Sequence, residues 1–309
     1  MDIDLVYFWV NGNDPKWIAK RQAFLADYTE NEESCKGRYI DNEELKYSLR
    51  SIEKYAPWIR RIFIVTDNQV PTWLNTSHSK IQIVDHSEII PHEYLPCFNS
   101  RVIEHHMHKI PGLAEHFLYA NDDMFFNKPV TPEDLFAKDS LPIIRMNRRF
   151  LKKWALLYQM KVRGKQLRNY KFTVHRSALL VEKKYGKYYS SRTDHNIEAY
   201  RKSDYAHARE VFEEEISATL SNRVRSDSDY HRNLYSYVAL AEKRVHVCYV
   251  NQYTSFRLNI ENRSMYEEFE KYNPTFFCMN DSQYANDEDR KLVAVFLNKL
   301  FPDKSQFEK

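Results

Sequence analysis

The sequence predicts an α/β protein, and three observations carry that prediction. Residues 3–10, IDLVYFWV, form an unbroken apolar, β-rich run; RIFIVTD (61–67) and KIQIVDH (80–86) are short β-branched runs that each close on an aspartate; between the first run and these two lies an amphipathic helical pattern at 42–56. A parallel sheet covered on both faces produces such near-continuous apolar strands and leaves polar groups at their carboxyl ends.

Taken in order, the first run stops at Asn11, Gly12, Asn13 and Asp14, so it reads as a buried strand feeding a polar loop. Asp14 followed by Pro15 is an N-cap with proline at the first helical position, which starts a helix over 15–28. In 42–56, NEELKYSLRSIEKYA, helical spacing puts Leu45, Leu49, Ile52 and Ala56 on one face, with acidic residues in the first turn. A helix follows at 99–109, and HFLYANDDMFF (116–126) reads as strand, acidic turn, strand. The stretch 141–190 is rich in Lys, Arg and Tyr, with an apolar run at 141–144 and helices near 150–160 and 175–185. Helices at 205–220 and 230–242, strands at 245–250 and 275–279, and a helix at 287–300 complete the chain, which no repeat, low-complexity tract or linker divides.

Composition narrows the function classes. At 309 residues with 43% hydrophobic content the chain buries a sizeable core. Its 5 glycines lack the spacing of a P-loop or a dinucleotide fingerprint, so a bound nucleotide would be held by carboxylates, metal or basic side chains. The net charge of +3 gives no field to attract nucleic acid, and none is expected as a partner. Cys35, Cys97, Cys248 and Cys278 lie far apart, which argues against a zinc ribbon or redox dithiol and for a reduced, cytoplasmic setting. No basic leader and no long apolar span is present, so the chain reads as neither secreted nor membrane-spanning. The 22 Tyr and 18 Phe suit stacking on sugars or bases, but suit an aromatic core better.

Four constellations have chemical potential. Asn121, Asp122 and Asp123 follow the apolar FLYA, so two carboxylates surface from a buried strand and require compensation. Two readings fit: a divalent cation held on a diphosphate, or a turn in which Asn and Asp cap the backbone. His105, His106 and His108 with Glu104 suggest a metal cluster, but adjacent histidines point apart and the spacing is not a zinc pattern, so core or surface histidines are favoured. His195, in SSRTDHNIEAYRK, is either a general base beside an anionic substrate or a structural loop histidine. NRVRSDSDYH gathers Arg223, Arg225, Asp227 and Asp229, either as a phosphate grip or as a solvated loop of ion pairs.

Together these segments resemble the Stealth family of hexose-1-phosphate transferases, which includes bacterial capsule phosphotransferases and the catalytic subunit of the lysosomal-enzyme N-acetylglucosamine-1-phosphotransferase. IDLVYFWVNGNDP is similar to the family's first conserved region, and the second resembles RYIDNEELKYSLRSIEKYAPWIRRIFIVTDNQVPTWLN continuing through LPCFNSRVIEHHMHKIPGLAEHFLYANDDMFF. The third is similar to the stretch from His195 into RVRSDSDYHRNLYSYVALA, and the fourth to FFCMND with FPDKSQFEK. Two departures stand out: Asn196 and Ile197 follow His195 where relatives often have a proline-containing turn, and Asn280, Asp281, Ser282 replace a doubled aspartate.

The resemblance implies transfer of a sugar 1-phosphate from a nucleotide diphosphate sugar to a glycan hydroxyl, with release of a nucleoside monophosphate, in capsular or surface polysaccharide synthesis. The rivals are a metal-dependent glycosyltransferase releasing a nucleoside diphosphate and a non-catalytic glycan-binding protein. By the same resemblance His195, Arg225 and Asp123 would be catalytic, and Asp122, Asp123 and Asp229 would hold Mg²⁺ or Mn²⁺. Asn11, Gly12, Asp14, Arg101, Asn121 and Arg223 would bind substrate. The implied architecture is a single catalytic domain over 1–309. Its half 1–150 is a nucleotide-sugar-binding sheet flanked by helices, and its mainly helical half 151–309 closes the cleft. Family context adds a cytoplasmic location with peripheral attachment to membrane glycan machinery.

Overall fold

The computed structural model describes residues 1–24, 39–148, 152–162 and 169–309. It begins with strand β1 (Ile3–Phe8), helix α1 (Pro15–Phe24) and helix α2 (Glu44–Tyr55), followed by the strands β2 (Ile62–Thr66) and β3 (Ile81–Asp85). Short helices α3 (His86–Ile89) and α4 (Ser100–Glu104) lead to β4 (His116–Asn121), β5 (Met124–Phe126) and β6 (Ile143–Asn147). Then come α5 (Lys153–Lys161), α6 (Asn169–Tyr185), β7 (Arg192–Thr193), β8 (Glu198–Arg201), α7 (Lys202–Val211), α8 (Glu213–Ser217) and α9 (Asn233–Ala241). The chain closes with β9 (His246–Tyr249), β10 (Ser255–Asn259), α10 (Arg263–Tyr272), β11 (Phe276–Asn280) and α11 (Asp287–Leu300).

The main sheet has the order β3-β2-β1-β4-β8, parallel except for the antiparallel edge strand β8. This is the α/β class the apolar runs predict, with helices packed beside a mainly parallel sheet. Strand order reverses between β1 and β4, where Phe8 lies opposite Asn121. In open parallel sheets such a reversal splays the connecting loops apart and opens a crevice at the carboxyl ends. Two three-stranded sheets, β10-β11-β5 and β7-β6-β9, flank the main one.

Local chemistry explains most of the boundaries. Asp14 accepts the Lys16 amide at 2.9 Å and caps α1; the last part of the expected helix, 25–28, lies outside the described residues, as do Cys35 and 149–151 of the middle stretch. On α2, Leu45, Leu49 and Ile52 are buried as their spacing requires, each contributing roughly 1.5–3 kcal/mol by leaving water. At α11, Asn286 accepts the Glu288 and Asp289 amides while Asp289 reaches back to the Asn286 amide, a reciprocal cap.

Other elements depart from the sequence reading. The helix expected over 99–109 is α4 plus a 3₁₀ turn at Met107–Lys109, interrupted at His106, which has ψ 0. The pattern at 205–220 divides into α7 and α8 at Phe212, whose φ of −121 breaks the helix while its ring enters the core. Strands β4 and β5 flank the acidic turn but join different sheets, since β5 pairs with β11. The aromatic residues are chiefly core: Tyr7, Tyr119, Tyr205, Tyr237, Phe117 and Phe125 are fully buried, and the Tyr205 and Tyr235 rings stack at 3.5 Å.

Candidate active site

A cleft of about 940 Å³ opens at the β1/β4 reversal, within the size range of small-ligand sites. Its walls include Asn121, Asp122, Asp123, Arg101, His195 and Arg225, so groups as far apart in sequence as Arg101 and Arg225 converge there.

The floor is acidic. Tyr119 donates its hydroxyl to Asn121 Oδ1 at 2.6 Å, and the Met279 amide donates to the Asp123 carbonyl at 2.9 Å, which fixes the turn between two sheets. Burial, then Asp123, Glu44 and Asp41, hold the Asp122 carboxyl well above the usual carboxylate range. Burial likewise pushes Glu44 up to about 8, although Asn42 donates to both of its oxygens at 2.7 Å. Carboxylates crowded in this way repel one another unless protons or a cation intervene.

Asp123, His195 and Cys278 each offer one ligand atom, and all three atoms lie within 4.8 Å of one another. The donor set discriminates between ions. Burial holds the Cys278 thiol well above its ordinary value, and its Sγ donates to Asp123 Oδ2 at 3.3 Å. A protonated thiol does not ligate Mg²⁺ or Mn²⁺, which prefer oxygen, whereas the carboxylates of Asp122 and Asp123 suit them. The residues therefore fit a divalent ion held by carboxylates and substrate phosphate, with Cys278 as a hydrogen-bond donor.

The opposing wall is basic. Arg225 donates to Ser100 Oγ at 2.8 Å, and Arg101 lies 3.5 Å from Asp229. Arg232 bridges Glu104 at 3.2 Å and Glu198 at 2.7 Å beneath the cleft and sits over the Tyr119 ring. Burial, with the nearby Arg232, Arg101 and His195, drives the His231 imidazole well below its usual range, so it is neutral. Beside His195, the buried Asp194 accepts from Asn147 at 2.9 Å and from Ser255 Oγ.

Several expected site residues stand behind the cleft instead of facing it. Asp229, expected on the metal, is buried, and its oxygens accept from Asn99 at 2.9 Å, Asn222 at 2.7 Å and the Ser226 amide at 2.8 Å. These bonds turn it toward Arg101 and away from the cleft surface. Arg223 donates to the carbonyls of Pro96 and Glu93 and so secures the 93–98 loop. Asn11, Gly12 and Asp14 are braced by Gln69, which bonds the Asn11 backbone and Asp14 Oδ2. A Cβ on Gly12 would fall 2.2 Å from the Tyr39 carbonyl oxygen, so only glycine allows this close approach. The loop thereby seats Trp17 and Tyr39, which do line the cleft.

The triple-histidine segment is core: His105 bonds the Tyr235 hydroxyl at 2.7 Å, His106 the Val102 carbonyl at 2.8 Å, and His108 stacks on Tyr205. Cys278, Asp194, Glu44, Arg232 and Arg257 also belong to the cleft or its support, and no local pattern marks them. The one available signal was that FFCMND ends an apolar run in acid, as the acidic-turn strand does.

The fold and this cleft define an α/β protein with an acidic floor, basic wall and imidazole at a sheet's switch point. Family models for Stealth protein conserved regions 1, 2 and 4 match residues 1–29, 38–144 and 270–309. The capsular polysaccharide phosphotransferase fcs1 of Haemophilus influenzae is 37% identical over 97% of this chain and 84% of its own length. LcbA of Aeromonas hydrophila, also a capsular polysaccharide phosphotransferase, is 33% identical over 97% and 84%. The exopolysaccharide phosphotransferase cps2G of Lactiplantibacillus plantarum is 31% identical over 100% and 96%. The chain belongs to the Stealth family. Among solved structures, the galactosyltransferase LgtC with donor and acceptor sugar analogues covers 96% of this chain and 95% of its own, at 11% identity and a TM-score of 0.45, too distant to bear on the site.

Proposed function

We propose that this chain is a sugar-1-phosphate transferase of capsular or other surface polysaccharide synthesis. It takes a nucleotide diphosphate sugar as donor and a glycan hydroxyl as acceptor. The observation that carries the proposal is convergence: Asp123, Arg225 and His195 line one cleft at the sheet's switch point. Family membership supports the same reading.

The acceptor oxygen attacks the phosphorus that bears the sugar, forming a new O–P bond. The P–O bond to the nucleoside monophosphate breaks, that group leaves, and the sugar's anomeric bond stays intact. His195 accepts the hydroxyl proton, and Arg225 and Arg101 stabilise charge on the phosphoryl oxygens. Asp229 positions Arg101. Asp123, with Asp122, would hold Mg²⁺ or Mn²⁺, which supplies positive charge against the diphosphate when bound. Asn121 stabilises the acidic turn, and the Asn11–Asp14 loop shapes the donor wall.

We assign the activity to a single catalytic domain over 1–309, with donor binding in 1–150 and cleft closure by 151–309. Among the described residues no helix is long and apolar enough to cross a membrane. The proposed location is the cytoplasm, with peripheral attachment to membrane glycan machinery.

Incubation of the purified protein with a panel of nucleotide sugars, glycan acceptors and Mg²⁺ or Mn²⁺ tests the proposal through the nucleotide released. Nucleoside monophosphate is expected. Release of nucleoside diphosphate would convert the enzyme to an ordinary glycosyltransferase, and no release from any donor would favour glycan binding without turnover.

A further inference from the structure

His195 sits on a turn that joins two sheets and is tied to a third. Strand β7 ends at Thr193 and β8 begins at Glu198, so residues 194–197 cross from the β7-β6-β9 sheet to the edge of the main one. No proline stiffens this crossing, and hydrogen bonds hold it instead. The Asp194 amide donates to the Arg145 carbonyl at 2.8 Å, and the buried Arg145 guanidinium donates to the Ile197 carbonyl. One residue of β6 therefore grips both ends of the turn.

The third sheet supplies Ser255, the first residue of β10. Its hydroxyl donates to Asp194 Oδ2, while Asn147 of β6 donates to Oδ1 at 2.9 Å. The same Ser255 oxygen accepts from Asn196 Nδ2 at 3.1 Å, and Asn196 Oδ1 accepts the Ile197 amide at 2.9 Å. The residues on either side of His195 are thus bonded to one hydroxyl. Strand β10 pairs with β11, whose Cys278 meets Asp123 Oδ2 at 3.3 Å and whose Met279 amide bonds the Asp123 carbonyl at 2.9 Å. A single small sheet therefore anchors both the acidic turn and the imidazole loop, whose Asp123 and His195 side chains approach within 4.8 Å.

We propose that Ser255 is a positioning residue for His195. Through Asp194 and Asn196 it fixes the place of the imidazole, so that β10 sets the separation between the proton acceptor and the acidic turn. The inference rests on the role given to His195 above. A general base acts only within hydrogen-bond reach of the proton it takes, and a displacement of about 1 Å can cost roughly 10²-fold in rate. Without the Ser255 hydroxyl, Asp194 loses one of its two side-chain donors and Asn196 loses its tie to β10. The turn is then held from β6 alone.

Ser255→Ala should lower kcat by roughly 10-fold to 10²-fold and leave the donor KM and the Mg²⁺ half-saturation near their parent values. Ser255→Thr keeps the hydroxyl and should restore most of the rate. A double-mutant cycle shows the route: in the His195→Ala background, Ser255→Ala should have no further effect, because the group it places is gone. Equal losses in both backgrounds would mean that Ser255 acts on the fold at large, and would overturn the proposal. Imidazole NMR of the full chain without substrate reads the clamp independently of turnover. The His195 ring signal, assigned by its disappearance in His195→Ala, should shift or broaden in Ser255→Ala and return in Ser255→Thr; a ring signal unmoved in Ser255→Ala overturns the proposal. Asn147→Ala removes the other donor to Asp194, should move rate and ring signal in the same direction, and guards against misfolding of Ser255→Ala. If His195→Ala turns over as fast as the parent, the base assignment fails, and the ring signal still decides whether Ser255 places the imidazole.

Discussion

His195 sits beside Asp123 in a cleft that His231, kept neutral by burial, also lines. Replacing His195 with Ala should lower turnover by roughly 10²–10⁴ if it removes the acceptor proton. Metal dependence separates roles here: a proton acceptor can be lost without moving the Mg²⁺ concentration that gives half-maximal rate, whereas loss of a metal ligand raises it. Asp123→Asn should abolish metal-dependent nucleotide release while leaving the melting temperature near the parent value. Retained activity at low metal would remove the acidic turn from that role. These residues were legible because each is a polar break after an apolar run or inside a charged motif. Asp229 looked equivalent to them in sequence. Its inward orientation depends on donors from Asn99 and Asn222, and no local pattern encodes such distant bonds. Cys278 was hidden for the opposite reason, since it lies within an apolar strand and meets Asp123 only because β11 pairs with β5.

At the scale of elements, long periodic or continuous apolar segments were readable. β1, β2, β3, α2 and α11 appear where burial requires a two-sided or one-sided apolar surface. β8, β10 and α10 were not readable. β8 is only Glu198–Arg201, and its polar ends are satisfied by tertiary partners: Glu198 by Arg232, Arg201 by Asp204. β10 alternates Phe256 and Leu258 with the exposed Arg257, too short a pattern to separate from a loop before its pairing with β11 is known. The segment carrying Phe307 is another tertiary construction. Arg50 on α2 grips Glu308 through two hydrogen bonds of 2.8 Å, and Phe307 is 1% exposed. Phe307→Ala should cost about 3–5 kcal/mol in urea unfolding, because it removes a large ring and leaves a cavity beneath α2. A loss below 1 kcal/mol would mean the segment is not part of the cooperative fold.

Two sets of buried groups set the pH dependence of the whole molecule. Burial lowers His86, His106 and His108 from their ordinary 6.5 to about 4. Between those values the unfolded chain binds protons that the folded chain excludes, so stability is full above pH 6.5 and falls as pH drops toward 4. Glu44 acts oppositely: with its value raised to about 8, the folded state holds the extra proton, and stability declines as pH rises through that window. Burial raises Asp41, Glu104, Asp122 and Asp194 as it does Glu44, so the carboxyls and the histidines oppose each other between pH 5 and 7, and single variants separate the two sets. His106→Gln keeps a donor for the Val102 carbonyl and removes on the order of 2 kcal/mol of that acid sensitivity. An unaltered pH profile in this variant would show that His106 charges without unfolding.

The turn at 121–123 leaves one sheet at β4 and enters another at β5, where β11 receives it. A ligand seated on that turn would therefore act as a rivet across two layers. Deuterium uptake at backbone amides should slow in β4 and β11 together when nucleotide sugar is added. Slowing confined to β4 would mean that the layers breathe independently.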